Sequence, residues 1–183
     1  MTEATASHTM IEASVCQIGD EWVYVCTHRN ETPASIGLFG SIDCSFSMDA
    51  KATLPESNEC VSFIELTRCI LSAVVDTMPT GSELRIGSFA DDAREEFAST
   101  NLTDAERTQA KSKIQTLRTR GSTNLEAAIS IGFQKLASER RVVIVLTDGS
   151  PTVRPTEGEE AAIRKLIDGR TTVIIIAIAN SSL

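Results

Sequence analysis

The chain lacks any stretch that is long and apolar enough to cross a bilayer. A membrane-spanning helix needs roughly 18 or more apolar residues, whereas the longest apolar run here, residues 173–179, has the length of a strand. Residues 1–18 also lack the basic and apolar regions of a secretory signal. We therefore expect a protein without a membrane partner that stays inside the cell.

Basic residues are too few for a nucleic-acid surface. The 183 residues include 17 Lys and Arg against 25 Asp and Glu, which gives a net charge of −8. Binding to a phosphate backbone needs clustered cations, and residues 111–120 form the only basic run. The composition therefore predicts no nucleic-acid partner.

The cysteines lack the pattern of a disulfide framework or a zinc site. Their number is odd, and none are spaced as CxxC: Cys16, Cys26, Cys44, Cys60 and Cys69. Small buried hydrophobic residues in a reducing compartment explain such cysteines best. Together with the absence of a leader, they predict a cytoplasmic protein.

The apolar pattern that is present predicts an α/β fold. Strand and helix patterns alternate along the chain, which is typical of a doubly wound (Rossmann-like), mostly parallel sheet with helices on both faces. Residues 94–98 return as a hairpin partner of the strand before them. Residues 1–20 are polar and are expected to form a flexible segment before a domain over 21–183. The predicted strands are 21–28, 36–42, 84–89, 94–98, 142–146 and 173–179. The predicted helices are 60–78, one after Thr103 that starts with a capping box to Glu106, one after its cap Asn124, and 158–167, and residues 51–59 are predicted as a loop.

Three polar clusters follow predicted strands or precede a helix. They lie at residues 43–47, 121–124 and 147–149. In open α/β sheets, ligands bind beyond the carboxyl ends of the strands, where the strand order reverses. We therefore expect one site built from the oxygens of Asp43, Ser45, Ser47, Thr123 and Asp148.

The donor set predicts a hard divalent cation. Two carboxylates and three hydroxyls, without Cys or His, suit Mg²⁺ or Mn²⁺ and suit Ca²⁺ less well. Hydroxyls bind as neutral ligands, so the metal stays electrophilic and about one coordination position of the octahedron is left for an outside group. A carboxylate from a partner protein is the natural ligand for that position.

These motifs resemble the metal-ion-dependent adhesion site of the von Willebrand factor type A (vWA) domain. The resemblance is carried by Asp43-x-Ser45-x-Ser47, then Thr123, then Asp148-Gly149, and it covers about residues 36–180. More narrowly, residues 102–103, 121–125 and 146–158 resemble the vWA domains found upstream of Hint modules.

The resemblance implies an interaction module rather than an enzyme. It implies a doubly wound sheet with one antiparallel edge strand at residues 94–98. It also implies a Mg²⁺ ion that links the domain to an acidic residue of a partner, with Ser45 and Ser47 touching the metal. Thr123 and the two aspartates would bind the ion directly or through water. The motif loops contain no His or Lys that could activate a serine.

Two features depart from the family pattern. Phe46 stands between the two serines, where the family usually has Gly. The family also has one more helix and strand after the strand at 173–179, so that strand is expected at an open edge. We expect it to be covered by another chain, by the strand at 21–28, or by a continuation of the chain.

Three alternatives remain open on the sequence. In the first, the metal site is vestigial, and the protein is a structural subunit that associates through its open sheet edge. In the second, the edge strand alone makes the partner contact, without the metal. Finally, a magnesium site at the rim of such a sheet also occurs in phosphate-ester hydrolases, although Ser45 and Phe46 occupy places where a nucleophilic carboxylate would be expected.

Overall fold

The computed structural model describes residues 12–18, 21–27, 36–53, 60–149, 151–155, 159–166 and 169–178. The chain divides into two compact units, 1–34 and 35–183. In chain order the elements are β1 (Glu12–Ile18), β2 (Glu21–Thr27), β3 (Gly37–Asp43), a 3₁₀ helix (Phe46–Asp49), β4 (Lys51–Thr53), β5 (Cys60–Ser62), α1 (Phe63–Thr77), β6 (Glu83–Phe89), β7 (Ala93–Ser99), α2 (Asp104–Thr116), α3 (Leu125–Lys135), β8 (Arg141–Thr147), α4 (Glu159–Leu166) and β9 (Thr171–Ala177).

The first unit contains an antiparallel pair. β1 pairs with β2, with Ile18 opposite Glu21 at one end and Glu12 opposite Thr27 at the other. The sequence predicted β2 and a flexible segment over residues 1–20, so β1 was missed. Its mixed polar and apolar sequence is a weak strand signal, and an antiparallel partner supplies the backbone hydrogen bonds that the pattern does not reveal. The predicted domain over 21–183 stays a prediction.

The second unit is built on a five-stranded sheet with the order β7-β6-β3-β8-β9. β3 is parallel to β6 and β8, and β9 is parallel to β8. β7 is antiparallel to β6 and lies at one edge. The predicted α/β architecture, with one antiparallel edge strand, is confirmed. A separate antiparallel pair joins β4, in the segment predicted as a loop, to β5, at the start of the predicted helix 60–78.

Helices cover both faces of this sheet because the central strand is apolar on both sides. Leu38 and Ile42 of β3 belong to the core that includes residues of α1 and α2. Phe39, which points to the other face, belongs to a second core with Ala128 and Ile129 of α3. All seven residues of β3 are buried, as expected for a central parallel strand. Among the described residues, no helix is both long and apolar enough to span a membrane.

Capping boxes fix the starts of two helices. The Thr103 hydroxyl accepts a hydrogen bond from Glu106 N, and the Glu106 carboxylate accepts one from Thr103 N, as the sequence predicted. Ser62 and Glu65 make the same reciprocal pair at α1. α1 therefore begins at Phe63, three residues later than the helix predicted from residue 60. Residues 60–62 instead form β5.

The strand order reverses at β3, and this places the predicted site. The chain passes from β3 to β6 on one side and later to β8 on the other side. Asp43 is the last residue of β3, opposite Phe89 at the end of β6. Ile42 lies opposite Leu146, one residue before the end of β8. The polar clusters after β3 and β8 therefore share one rim of the sheet.

Gly40 allows α1 to pack closely on β3. A Cβ atom at this position would lie 2.4 Å from Leu71 Cδ1, far inside van der Waals contact. Leu71 is fully buried in the core on that face. Because Gly40 has no side chain, the Leu71 side chain of α1 can pack directly against this part of β3.

We predict that Gly40→Ala destabilises the fold by about 1–3 kcal/mol, because overpacking outweighs the smaller gain from restricting the unfolded chain. Leu71→Ala alone is expected to cost about 2–5 kcal/mol. In the double variant, the second substitution removes the atoms that the new Cβ meets, so urea unfolding is expected to show a loss clearly below the sum. A strictly additive loss would contradict the close contact.

Glu83 ties the start of β6 to the segment after α3. Its carboxylate is 4 % exposed and accepts hydrogen bonds from Ala137 N, from Ser138 N and Oγ, and from Arg85 Nε at 2.9 Å. Burial raises the pKa of Glu83, but the hydrogen bonds from Arg85, Ser138 and Ala137 outweigh burial and hold the pKa below the ordinary value of 4.5.

The lowered pKa predicts a pH dependence of stability. The stabilisation is fully present above pH 4.5 and is lost as the pH falls through the lower pKa of the folded state. Glu83→Gln is expected to cost about 1–3 kcal/mol at pH 7 and progressively less in acid, since the wild type then loses the same charge. Urea unfolding from pH 7 to pH 3 measures this. Glu95→Gln, which removes the other acidic partner of Arg85, is the control and is expected to cost less at neutral pH.

Candidate metal-binding site

The first loop of the site begins with a buried carboxylate. Asp43 is fully buried at the end of β3. Its Oδ1 accepts a hydrogen bond from Ser45 N at 2.8 Å, and its Oδ2 accepts one from Thr147 Oγ1 at 2.6 Å. Asp43 therefore joins its own loop to the end of β8.

The two predicted serine hydroxyls meet directly. Ser45 Oγ and Ser47 Oγ are 2.9 Å apart. In an extended segment, the side chains of alternate residues would point the same way. Instead, Ser47 lies in the 3₁₀ helix Phe46–Asp49, and only Ser45 at its start is extended. The tight turn brings the two hydroxyls within hydrogen-bond distance of each other.

The charge at Asp43 is unfavourable without a cation. Burial raises the pKa of Asp43, and the neighbouring Asp148 charge raises it further. Hydrogen bonds from Thr147 and Ser45 act in the opposite direction and favour the ionised form. The net direction is upward, as expected for two carboxylates that share a poorly hydrated rim.

The second loop precedes α3 and is tied to the first by backbone hydrogen bonds. Phe46 N donates to Gly121 O at 3.1 Å, and Arg120 N donates to Cys44 O. Gly121 adopts a positive φ of 59°, a conformation that favours glycine. Thr123 follows and is 3 % exposed. The loop that carries Thr123 is therefore held against the loop that carries the serines.

The turn between β6 and β7 is hydrogen-bonded to this second loop. Asp91 Oδ1 accepts a hydrogen bond from Ser122 N at 3.1 Å. Asn124 N donates to Ala90 O, and the Asn124 side chain caps α3 by accepting from Ala127 N. The predicted cap at Asn124 is confirmed. Asp91 is exposed, as expected of a turn residue, yet its carboxylate holds the Thr123 loop in place.

The third loop follows β8 and closes on the second. Thr152 N and Val153 N both donate to Thr123 O at 3.0 Å, and Thr152 Oγ1 accepts from Thr123 N at 2.9 Å. Asp148 lies at the start of this loop. Its Oδ1 atom is buried and has no hydrogen-bond partner in the described part of the chain.

These residues fit a divalent cation chemically. The described residues hold no group of three or more His, Cys, Asp and Glu side chains suited to a metal, so a metal here would depend on the hydroxyls as well as on the two carboxylates. Asp148 Oδ1 is a buried acceptor that has no hydrogen-bond partner among the described residues. A divalent ion would satisfy it and relieve the repulsion with Asp43.

Two supporting residues were not assigned a role from the sequence. Thr147 donates to Asp43 Oδ2 and accepts from Gly149 N at 3.1 Å, and so orients the carboxylate. Thr152 fixes the backbone of Thr123. The only signal for Thr147 was its place beside Asp148. Thr152 gave none, since its contact joins residues that are distant in the sequence.

A family model supports this architecture. The model of the von Willebrand factor type A domain matches residues 42–183, a range that starts next to Asp43 and includes all five predicted site residues. Among curated proteins, none matches the chain.

Solved structures with the same fold are similar at low sequence identity. A von Willebrand factor type A protein from Catenulispora acidiphila has a TM-score of 0.66 at 17% identity, over 95% of this chain and 41% of that one. The conserved hypothetical protein BatB from Bacteroides thetaiotaomicron has a TM-score of 0.62 at 19% identity, over 78% of this chain and 66% of that one. Proximal thread matrix protein 1 from the mussel byssus, in a structure whose MIDAS motif is occupied by zinc, has a TM-score of 0.58 at 18% identity, over 78% and 35% of the two chains. This chain therefore spans two thirds or less of the length of these proteins.

We predict that Thr147→Val destabilises the protein by about 1–3 kcal/mol at neutral pH, because Asp43 Oδ2 is left buried without its donor. Urea unfolding in EDTA measures the loss. Thr147→Ser keeps the hydroxyl and is the control, with an expected loss of less than about 1 kcal/mol. A loss in Thr147→Val that is no larger than the loss in Thr147→Ser would contradict a stabilising role for this hydrogen bond.

Proposed function

The chain belongs to the von Willebrand factor type A domain family, and on that premise we propose that it is a protein–protein interaction module. It binds an acidic residue of a partner through a divalent metal ion at the rim of the sheet. The family is often used in protein–protein interaction, and its members are usually not enzymes. The residues that hold the ion are Asp43, Ser45, Ser47, Thr123 and Asp148.

The observation that carries this proposal is the buried, unpartnered Oδ1 of Asp148 next to a second carboxylate. A buried acceptor without a partner costs about 1–3 kcal/mol, and the charge of Asp43 adds repulsion. Such an arrangement is unfavourable in an ordinary loop and favourable in a site that binds a cation. The tie between the three loops supports it further, since each loop carries at least one of the proposed ligands.

Mg²⁺ is the proposed ion, with Mn²⁺ and Ca²⁺ as possible substitutes. Hydroxyl and carboxylate oxygens are hard donors that suit these ions. When bound, the metal supplies an electrophilic position for an outside carboxylate. The chain's own residues hold it: Asp43 and Asp148 provide the charge, and Ser45, Ser47 and Thr123 provide neutral oxygens.

We propose no catalytic role for this site. Residues 43–49, 120–124 and 147–150 contain no His or Lys that could act as the base for a serine nucleophile. Activation of a serine needs such a base within hydrogen-bond reach. Hydrolysis of a phosphate ester is therefore the least favoured alternative.

A second candidate function is association through the sheet edge. β9 is the last strand in the sheet order, and Ile174 and Ile175 on it are 41 % and 45 % exposed. Exposed edge strands of this kind readily pair with another strand. The expectation that a further chain covers residues 173–179 belongs to this candidate. Partner binding that persists in EDTA would favour it.

The proposal also includes a cytoplasmic location and membership of a narrower group of vWA domains. A cytoplasmic location is supported by the free thiols of Cys44 and Cys69, which suit a reducing compartment. Membership of the narrower group of vWA domains upstream of Hint modules is supported by the sequence motifs alone.

We predict that Mg²⁺ stabilises the wild-type protein against urea, by about 2.7 kcal/mol at a hundredfold excess over its Kd. In Asp148→Asn this response is expected to be lost. Because the substitution also removes the repulsion with Asp43, the variant is expected to be at least as stable as the wild type in EDTA.

Asp49→Asn is the matched control. Asp49 lies in the same 3₁₀ helix as Ser47 and accepts a hydrogen bond from Thr119 Oγ1, but it is not a proposed ligand. Its variant is expected to keep the Mg²⁺ response. Equal responses of the wild type and Asp148→Asn would contradict the metal site.

A further inference from the structure

Phe46 is the most exposed large hydrophobic residue among those that the structure describes. Its side chain is 67 % exposed, whereas Cys44, Ser45 and Met48 around it are almost completely buried. The ring is therefore not part of the core. It projects from a turn that has one proposed metal ligand on each side of it, Ser45 and Ser47.

The backbone under this ring is fixed. Phe46 N donates to Gly121 O, and Met48 N donates to Ser45 O, both at 3.1 Å. An aromatic side chain on a fixed backbone loses little conformational freedom when it is covered, so it is an efficient contact residue.

A second exposed apolar residue lies on the opposite loop. Val153 is 36 % exposed, and its backbone N–H donates to Thr123 O at 3.0 Å. Phe46 and Val153 thus come from two different loops, and both loops are hydrogen-bonded to the segment 121–123. Two of the four exposed large hydrophobic residues in the described chain therefore adjoin the proposed metal ligands.

This arrangement combines two kinds of complementarity. A cation held by neutral hydroxyls and two carboxylates attracts an anionic oxygen, and the apolar side chains beside it favour an apolar neighbour. A bare acidic side chain would leave Phe46 uncovered, and a purely apolar segment would leave the metal without its outside ligand.

We propose that the partner is a protein segment in which the acidic residue is directly adjacent to a large apolar residue, and that this apolar residue packs against Phe46 and Val153. The inference rests on the proposed function and adds the identity of the second contact. Covering most of the Phe46 ring is worth about a tenfold gain in affinity or more.

A random peptide library displayed on phage tests this. Selection on the immobilised wild-type protein in Mg²⁺ is expected to enrich Asp or Glu next to Leu, Ile, Met or Phe. Selection on Phe46→Ala is expected to keep the acidic residue and lose the apolar preference. Ile174→Ala is the control, because it removes an exposed apolar side chain that lies on β9 and not on a loop with a proposed ligand, and it is expected to keep both preferences.

Two synthetic peptides give the magnitude. They share one flanking sequence and carry Asp-Leu or Asp-Ser at the centre. The wild type is expected to bind the Asp-Leu peptide about tenfold more tightly, and Phe46→Ala is expected to bind the two within about twofold.

The outcomes separate the inference from the proposed function. Acidic peptides without an adjacent apolar preference, or an apolar preference that survives in Phe46→Ala, would overturn the inference alone. Recovery that is unaffected by EDTA, that lacks acidic residues, or that yields no peptide would overturn both.

Discussion

The candidate site depends on one buried carboxylate that is shared between two loops. Asp43 accepts a hydrogen bond from its own loop at Ser45 N and another from Thr147 at the end of the neighbouring strand. A buried carboxylate is costly unless its oxygens are paired, and here both oxygens are paired. The consequence is that the direction of the serine loop and the position of Asp148 are set together.

The rest of the fold keeps that carboxylate where the strand order changes. β3 is buried along its whole length, with α1 and α2 on one face and α3 on the other. Gly40 lets α1 approach closely, and Glu83 ties β6 to the segment before β8 at the opposite end of the sheet. A rim held by a rigid sheet can keep unfavourable features, such as two adjacent carboxylates, that a flexible loop would avoid.

Two places in the second unit carry exposed apolar side chains, one at the rim of the sheet and one at its edge. At the rim, the exposed Phe46 stands between Ser45 and Ser47. At the edge, Ile174 and Ile175 lie on a strand whose outer side has no partner among the described strands. The first surface suits a partner that also carries an anion, while the second suits strand addition without any metal. Dependence on Mg²⁺ is the property that separates them.

The sequence by itself determined the local features. Alternation of strand and helix patterns along the chain predicted the parallel sheet, residues 94–98 predicted the hairpin partner β7, and neighbouring residue types predicted the caps at Thr103 and Asn124. The motif spacing also named the five candidate ligands. These features depend on periodicity or on contacts within a few residues, and a single sequence displays both.

Only the tertiary structure decided which groups support the site. The bond between Thr147 and Asp43 joins residues 104 positions apart, and the contacts of Asp91 with Ser122 and of Thr152 with Thr123 also depend on how strands and loops come together. β1 likewise became visible only through its pairing with β2. Such partners carry no local signature, because what selects them is the folded geometry and not the spacing along the chain.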